Sequence, residues 1–258
     1  MTTAEPERLL DPASVLGKVM TVLEAFAADD AGVGFAELQR RTGLPKATLH
    51  RVAGDLVAAR LLVRVDGDYH LGSHLFELGM RASVERTLME VATPFMEDLY
   101  ERTHETVHLG LREGSHVVYV AKFGGHRQVN APSRIGGRMP VHATAIGKAL
   151  LAYAPEEDRI AVLAGPMERF TPRTVVAPGR LRQQLDGVKE AGVAYEFEES
   201  RAGLACVAAP VLDEADRPVA AVSVAGLVTR FRPAEHAASV HAAAAGIAAT
   251  LARRRALA

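Results

Sequence analysis

Residues 33–72 read VGFAELQRRTGLPKATLHRVAGDLVAARLLVRVDGDYHLG, and the spacing of their apolar side chains decides how the N-terminal part folds. Phe35 and Leu38 point inward from a short helix over 35–42. Gly43 suits the left-handed conformation that ends a helix. Pro45 stands where a new helix starts and no backbone donor is needed. Beyond it, Leu49, Val52, Ala53, Leu56 and Val57 share one face at helical spacing. Leu61–Val65 and Tyr69–Leu71 then flank Asp66-Gly67-Asp68, a hairpin signal built on a DG turn. Upstream, a helix over 11–28 directs Val15, Leu16, Val19, Val22, Leu23 and Phe26 at the same core. Helix, tight turn, helix and hairpin make a winged helix-turn-helix, whose second motif helix enters the major groove of DNA.

The face of that helix opposite the core carries Ala47, Thr48, His50 and Arg51, with Lys46 at its start. Arg51 can make a bidentate contact to guanine, and the methyls of Ala47 and Thr48 can pack on a thymine methyl. Arg40 and Arg41 are placed for phosphate, which fixes register without reading sequence. Arg64 lies on the wing, near backbone or minor groove. Charge supports this reading. Residues 40–64 hold six cations against Asp55, a net charge of +5, so the remainder of a chain of net charge −1 carries −6. A basic patch on an otherwise acidic chain is the electrostatic footprint of a DNA binder.

A length of 258 residues suggests one or two domains, and 48% hydrophobic with 24% charged residues is the balance of a soluble globular chain. No apolar run reaches the roughly 20 residues that span a bilayer. The opening MTTAEPERLLDPAS lacks the apolar core of a signal peptide, so residues 1–10 read as a disordered lead-in and the expected location is the cytoplasm. Cys206 is alone, which excludes an intrachain disulfide and fits a reducing compartment.

After the wing, 73–87 reads as a linker helix with a narrow stripe of Leu75, Leu78, Gly79 and Ala82. A further helix over 88–103 carries Val91, Phe95 and Leu99. Alternation then takes over. Thr106–Leu111 and His116–Ala121 form a hairpin, with later strands at 193–198, 203–212 and 218–226 and helices at 144–153, 156–164, 179–191 and 233–254. Strands in hairpins and helices in blocks indicate an α+β domain with an antiparallel sheet. The expected domains are 11–72, 73–87 as linker, and 88–258. Pro140–Leu150 (PVHATAIGKAL) puts small residues at a loop-to-helix junction. Such a junction suits a carboxylate through free amides and the helix dipole, or equally a close-packed helix start.

Taken together, these stretches resemble the IclR family of bacterial transcriptional regulators. GLPKATLHR and the wing ending YHLG carry the resemblance in the head. Gly136-Gly137-Arg138-Met139-Pro140, Pro140–Leu150, Thr171–Thr174 and Cys206–Val211 carry it in the body, and it spans about residues 13–252. The resemblance implies a GAF-like effector domain, a homodimer made through heads and linker helices, often a dimer of dimers, and a near-palindromic operator on double-stranded DNA. It further implies a small organic acid between the small-residue helix and the sheet. Ala145, Ile146 and Gly147 would supply backbone donors, Glu196 the acidic position, Cys206 the pocket cysteine, and Ser223 and Ala225 two inward positions. Ala225 stands where the family has a hydroxyl, Glu196 where it has Asp, and Ile146 is bulky. These departures leave two ligands open, a small oxo-acid of the glyoxylate type and a larger or more apolar one such as an aromatic acid. No cofactor and no resident metal are expected.

Two rival chemistries were weighed. His104-Glu-Thr-Val-His108 matches a zinc-protease pattern that needs both histidines on one helical face. Here the stretch crosses from helix into strand, where four residues span about 13 Å, too far for one zinc. A body metal drawn from other histidines stays an alternative. The second rival is an enzyme acting on a small acid with a fused DNA-binding head. No paired carboxylates, nucleophile–base pair or cofactor loop can be placed for it.

Overall fold

The computed structural model describes residues 10–27, 29–81, 83–124 and 133–257. The expected lead-in at 1–9 and the stripe residue Ala82 lie outside them. Two compact units emerge, 1–83 and 84–258.

The first unit contains α1 (Val15–Glu24), α2 (Phe35–Thr42), α3 (Lys46–Ala58), the hairpin β1 (Leu62–Val65) and β2 (Asp68–Leu71), and α4 (Ser73–Gly79). Its core is Val22, Val33, Leu38, Leu49, Val52, Ala53, Leu56, Leu62 and Tyr69. Gly43 ends α2 in the left-handed conformation. Pro45 is the N-cap of α3 rather than its first residue. Val65 pairs with Asp68, so Asp66 and Gly67 alone form the wing turn, both at positive φ, as a two-residue type I′ loop requires.

Three expectations change here. Helix α1 begins four residues later than the pattern suggested, because the Ser14 hydroxyl caps it by accepting from Gly17 N at 2.9 Å. Val15 and Leu16, assigned to the core, are 69% and 58% exposed. Val57, assigned to the buried face of α3, is also exposed. Finally, 73–87 is not one helix. The chain forms the short α4, turns at 80–81, and starts α5 (Ser83–Thr103), so the second break falls inside the expected linker and not at 88. Helix α4 buries no residue, and Phe76, Leu78 and Met80 stand exposed.

The second unit is built on a six-stranded sheet in the order β5-β4-β3-β8-β7-β6. The strands are β3 (Thr106–Glu113), β4 (His116–Phe123), β5 (Arg138–Pro140), β6 (Ala194–Phe197), β7 (Leu204–Leu212) and β8 (Pro218–Leu227), all antiparallel to their neighbours. Helices α6 (Ala145–Ala152), α7 (Glu156–Ala164) and α8 (Pro178–Ala191) cover one face; α5 and α9 (Pro233–Ala256) cover the other. Alternate residues of each strand therefore enter different cores. In β7, Leu204, Cys206 and Ala208 meet α6, whereas Ala205, Val207, Ala209 and Val211 lie in the core with α5 and α9. A sheet covered on both faces needs apolar residues at nearly every position, which explains LACVAAPVL. Strand β5 was not foreseen. Three residues containing proline carry no period-two signal, and pairing with β4 alone makes them a strand.

Candidate functional site

Two sites form, one in each unit. In the head, Lys46, Ala47, His50 and Arg51 are exposed on α3 and Thr48 is half-buried. The N-cap Pro45 offers α3 no side-chain cap, so its first amides remain suited to an anion such as phosphate. Arg51 meets only Asp55, at 3.3 Å, with both side chains well exposed, a pair weak enough to exchange for a base. Arg64 projects from β1 with its guanidinium carbon 5.6 Å from the Tyr69 ring centre.

Arg40 and Arg41 differ from their neighbours. Glu37, one turn earlier, holds Arg40 through two contacts of 2.7 Å. Arg41 is bound more fully. It reaches Asp30 at 2.5 and 3.0 Å, Glu37 at 2.8 Å and the Ala25 carbonyl at 2.9 Å, tying α2 to the end of α1. Hydrogen bonds from these arginines hold the Glu37 carboxyl down at about 2. Much of the charge counted at Arg40 and Arg41 is thus balanced within the head by carboxylates lying just before residue 40.

In the body, β3, β4, β6, β7 and β8 and the start of α6 enclose a cavity. Ala145, Ile146, Glu196, Cys206, Ser223 and Ala225 line it, together with His108, Tyr119, Ser133, Met139, Thr144, Ser200 and Leu204. Gly147 does not. Its N–H donates to the Thr144 hydroxyl at 3.1 Å, the N-cap bond of α6. A Cβ at 147 would stand 2.3 Å from the Val141 Cα and carbonyl oxygen. This glycine therefore serves close packing of α6 on the 141–143 turn. Ala145 and Ile146 keep first-turn amides, which have no carbonyl of an earlier turn to reach. Free volume in the cavity is about 20 Å³, room for one water. Ile146 occupies the rest: its Cγ2 lies 3.0 Å from where a Cβ on Gly110 would stand, so glycine at 110 lets it reach the sheet. A larger groove of about 410 Å³ runs between the β7–β8 turn and the end of α9, but gathers none of the residues the sequence singled out.

The cavity walls are polar yet almost uncharged. His108 Nε2 pairs with Ser133 Oγ at 2.7 Å, and burial together with Lys122 lowers its pKa to about 3, so the ring is neutral. Burial keeps the Tyr119 phenol and the Cys206 thiol protonated. Glu196 is 2% exposed. Its Oε1 accepts from Ser200 N at 2.9 Å and from the Ser200 hydroxyl, while burial outweighs these bonds and pushes the carboxyl up to about 7. The nearest buried cation, Lys148, is committed elsewhere, to Glu199 Oε1 at 2.5 Å and the Tyr195 carbonyl at 3.2 Å.

His108, Tyr119, Ser133 and Ser200 were missed as site residues. A signal existed for the first: a histidine inside the apolar alternation TVHLGL, on the strand phase opposite Val107 and Leu109. The same residue closes the zinc-protease pattern, but α5 ends at Thr103 and β3 begins at Thr106, so the two histidines share no helix. No cluster of three metal-ligating residues occurs among the described residues. No helix among them is long and apolar enough to cross a membrane.

Comparison with known proteins adds independent findings. The profile described as "Bacterial transcriptional regulator IclR C-terminal" matches residues 80–251, and "IclR helix-turn-helix domain" matches 15–66. The HTH-type transcriptional regulator KdgR of Escherichia coli is 33% identical over 258 residues, covering 97% of each chain. XynR of the same organism is 34% identical over 221 residues, covering 84% of this chain and 88% of its own. Among solved structures, an IclR homolog from Microbacterium hydrocarbonoxydans complexed with 4-hydroxybenzoate aligns with a TM-score of 0.86 at 33% identity, covering 93% of this chain and 100% of that one.

Proposed function

The chain belongs to the IclR family of bacterial transcriptional regulators, and we propose that it is a cytoplasmic, sequence-specific DNA-binding regulator controlled by a small organic acid, aromatic in preference, bound in the body cavity. One observation carries the effector half: six of the seven residues assigned to the effector from sequence line a single buried cavity at the first turn of α6. The amides of Ala145 and Ile146 would take the carboxylate. Tyr119, Met139, Leu204 and Ala225 offer apolar surface to a ring, and the Microbacterium homolog is complexed with 4-hydroxybenzoate. A ring is larger than the present free volume, so binding would move Ile146 and Met139. A protonated Cys206 thiol supports a binding role over turnover.

The DNA half rests on the exposed face of α3. Lys46, Ala47, Thr48, His50 and Arg51 would read the groove, Arg64 and Arg40 would contact backbone, and Arg41 would chiefly hold the head together. Exposed Val15 and Leu16 on α1 and Phe76, Leu78 and Met80 on α4 support a homodimer through the heads. Two α3 helices in grooves about 34 Å apart then call for a near-palindromic operator. Association of two such dimers into a tetramer would follow the family. The effector acts through its different affinity for DNA-competent and DNA-incompetent arrangements.

The test is a thermal-shift screen with 4-hydroxybenzoate, benzoate and small oxo-acids, joined to gel-shift titration of upstream DNA. Binding at 100 times Kd stabilises by about 2.7 kcal/mol. Ile146→Ala and Ser223→Ala should change the effector response and spare DNA affinity in its absence. Loss of ligand-free DNA binding in both variants would overturn the cavity assignment.

A further inference from the structure

Among the described residues, no cation pairs with Glu196 in the cavity. Its Oε1 is held by Ser200, and no hydrogen-bond partner stands on its Oε2 among the described residues, although the side chain lines the cavity. From α6 comes Lys148, neutralised by Glu199 on the β6–β7 connection. From β4 come Tyr119, neutral, and Lys122, whose Nζ donates to the Ser133 carbonyl at 3.3 Å beside His108; Cys206 from β7 and His108 from β3 are neutral, and β8 contributes only Ser223. An anionic ligand entering beside an ionised Glu196 would put two like charges in a buried site where, among the described residues, Lys148 is already paired with Glu199 and Lys122 is held at the Ser133 carbonyl, a costly arrangement.

We propose that acid binding to this cavity is coupled to uptake of one proton by Glu196, whose carboxylic acid O–H then donates to the bound ligand. The inference rests on the cavity being the effector site and adds the condition under which that site fills. The proton comes from solvent, and no bond other than O–H forms. The carboxyl titrates at about 7 before binding. At pH 8 nearly every molecule must take up a proton to bind, and at pH 6 almost none, so affinity should be about tenfold weaker at pH 8 than at pH 6. The protein would then respond to acid concentration and acidity together. Glutamate carries its carboxyl one methylene farther than the aspartate that the family places here.

The experiment is isothermal titration of the full-length protein with 4-hydroxybenzoate at pH 6 and pH 8, each in phosphate and in Tris. The difference in heat between buffers counts protons. Close to one proton per ligand at pH 8 and close to none at pH 6 is the expected result. In Glu196→Gln the uptake should vanish and affinity should be equal at both pH values. Ser200→Ala, which removes hydrogen bonding that favours the ionised form, should move the midpoint upward. Equal heats in both buffers at pH 8 overturn the proton coupling while leaving the effector reading intact. Uptake that persists in Glu196→Gln overturns the assignment to this residue. Failure of 4-hydroxybenzoate, benzoate and pyruvate alike to bind at pH 6 overturns the effector reading and the coupling with it.

Discussion

The head and the body place their working residues in opposite ways. In the head, five of the eight candidate DNA contacts fall within six consecutive residues, 46–51, on a single helix that turns them to solvent. In the body, the candidate contacts come from three strands and a helix and are almost wholly buried. A surface site can be charged because water solvates it and its weak ion pairs exchange readily. A buried site must limit the charge it holds, by pairing as at Lys148–Glu199, by a raised carboxyl pKa as at Glu196, or by keeping a group uncharged as at His108.

The sharpest break of that contrast is Glu199→Ala. It strands Lys148 in the body core, and removing one member of a buried pair costs about 3–5 kcal/mol. Calorimetry should show the loss in the body's unfolding transition. Replacing both partners, as Lys148→Met with Glu199→Leu, should return most of it; a double variant as unstable as the single one would mean the pair is not what holds α6 to the sheet.

Next comes the pH dependence of Glu196. Folding raises its pKa from 4.5 to about 7, so the folded chain binds the proton more tightly. The stability this contributes is fully present below pH 4.5 and is lost as pH rises through 7. Glu196→Gln escapes that loss and should gain roughly 2–3 kcal/mol on the wild type between pH 5 and pH 8.5. His108 works the other way, its lowered pKa removing stability as pH falls below 6.5, but equally in both proteins. Parallel pH–stability curves would show that Glu196 is not desolvated as described.

Arg51→Ala belongs to the surface side of the comparison. Specific operator binding should weaken by about 1–3 kcal/mol with little change in melting temperature, because the only ion pair lost is exposed. Unchanged operator affinity would remove Arg51 from the reading set. Smallest is the pair of Arg40→Ala and Arg41→Ala. The first should lower affinity for all sequences and reduce the salt slope by about one. The second should lower the melting temperature of the head and leave the slope nearly unchanged. A slope that falls equally for both would put Arg41 on phosphate.

Legibility followed the same divide. Helix α2, the wing and nine of the body's elements lie within a residue or two of their expected bounds, since each is set by a local period or turn: Gly43 after α2, Asp66-Gly67 in the wing, Ala143-Thr144 before α6. Misreadings came where packing overrides period. Val15, Leu16 and Val57 are apolar at helical spacing yet exposed, and no pattern within one chain distinguishes a core face from a face left for a partner. The break at 80–81 was hidden because the apolar stripe of Leu75, Leu78 and Gly79 runs on in sequence to Ala82.

By itself, then, the sequence determined the two-part organisation, the family, the order of the longer elements and the exposed face of α3, all of which depend on residues near one another along the chain. Tertiary structure alone decided that Arg41 is a clasp, that Gly147 packs and caps instead of facing the cavity, that His108 and Tyr119 join Glu196 across the sheet, and that Lys148 is spent on Glu199. Each of these depends on which distant groups meet in a place without water. Burial sets what a charge costs, and burial is a property of the fold, not of any one stretch.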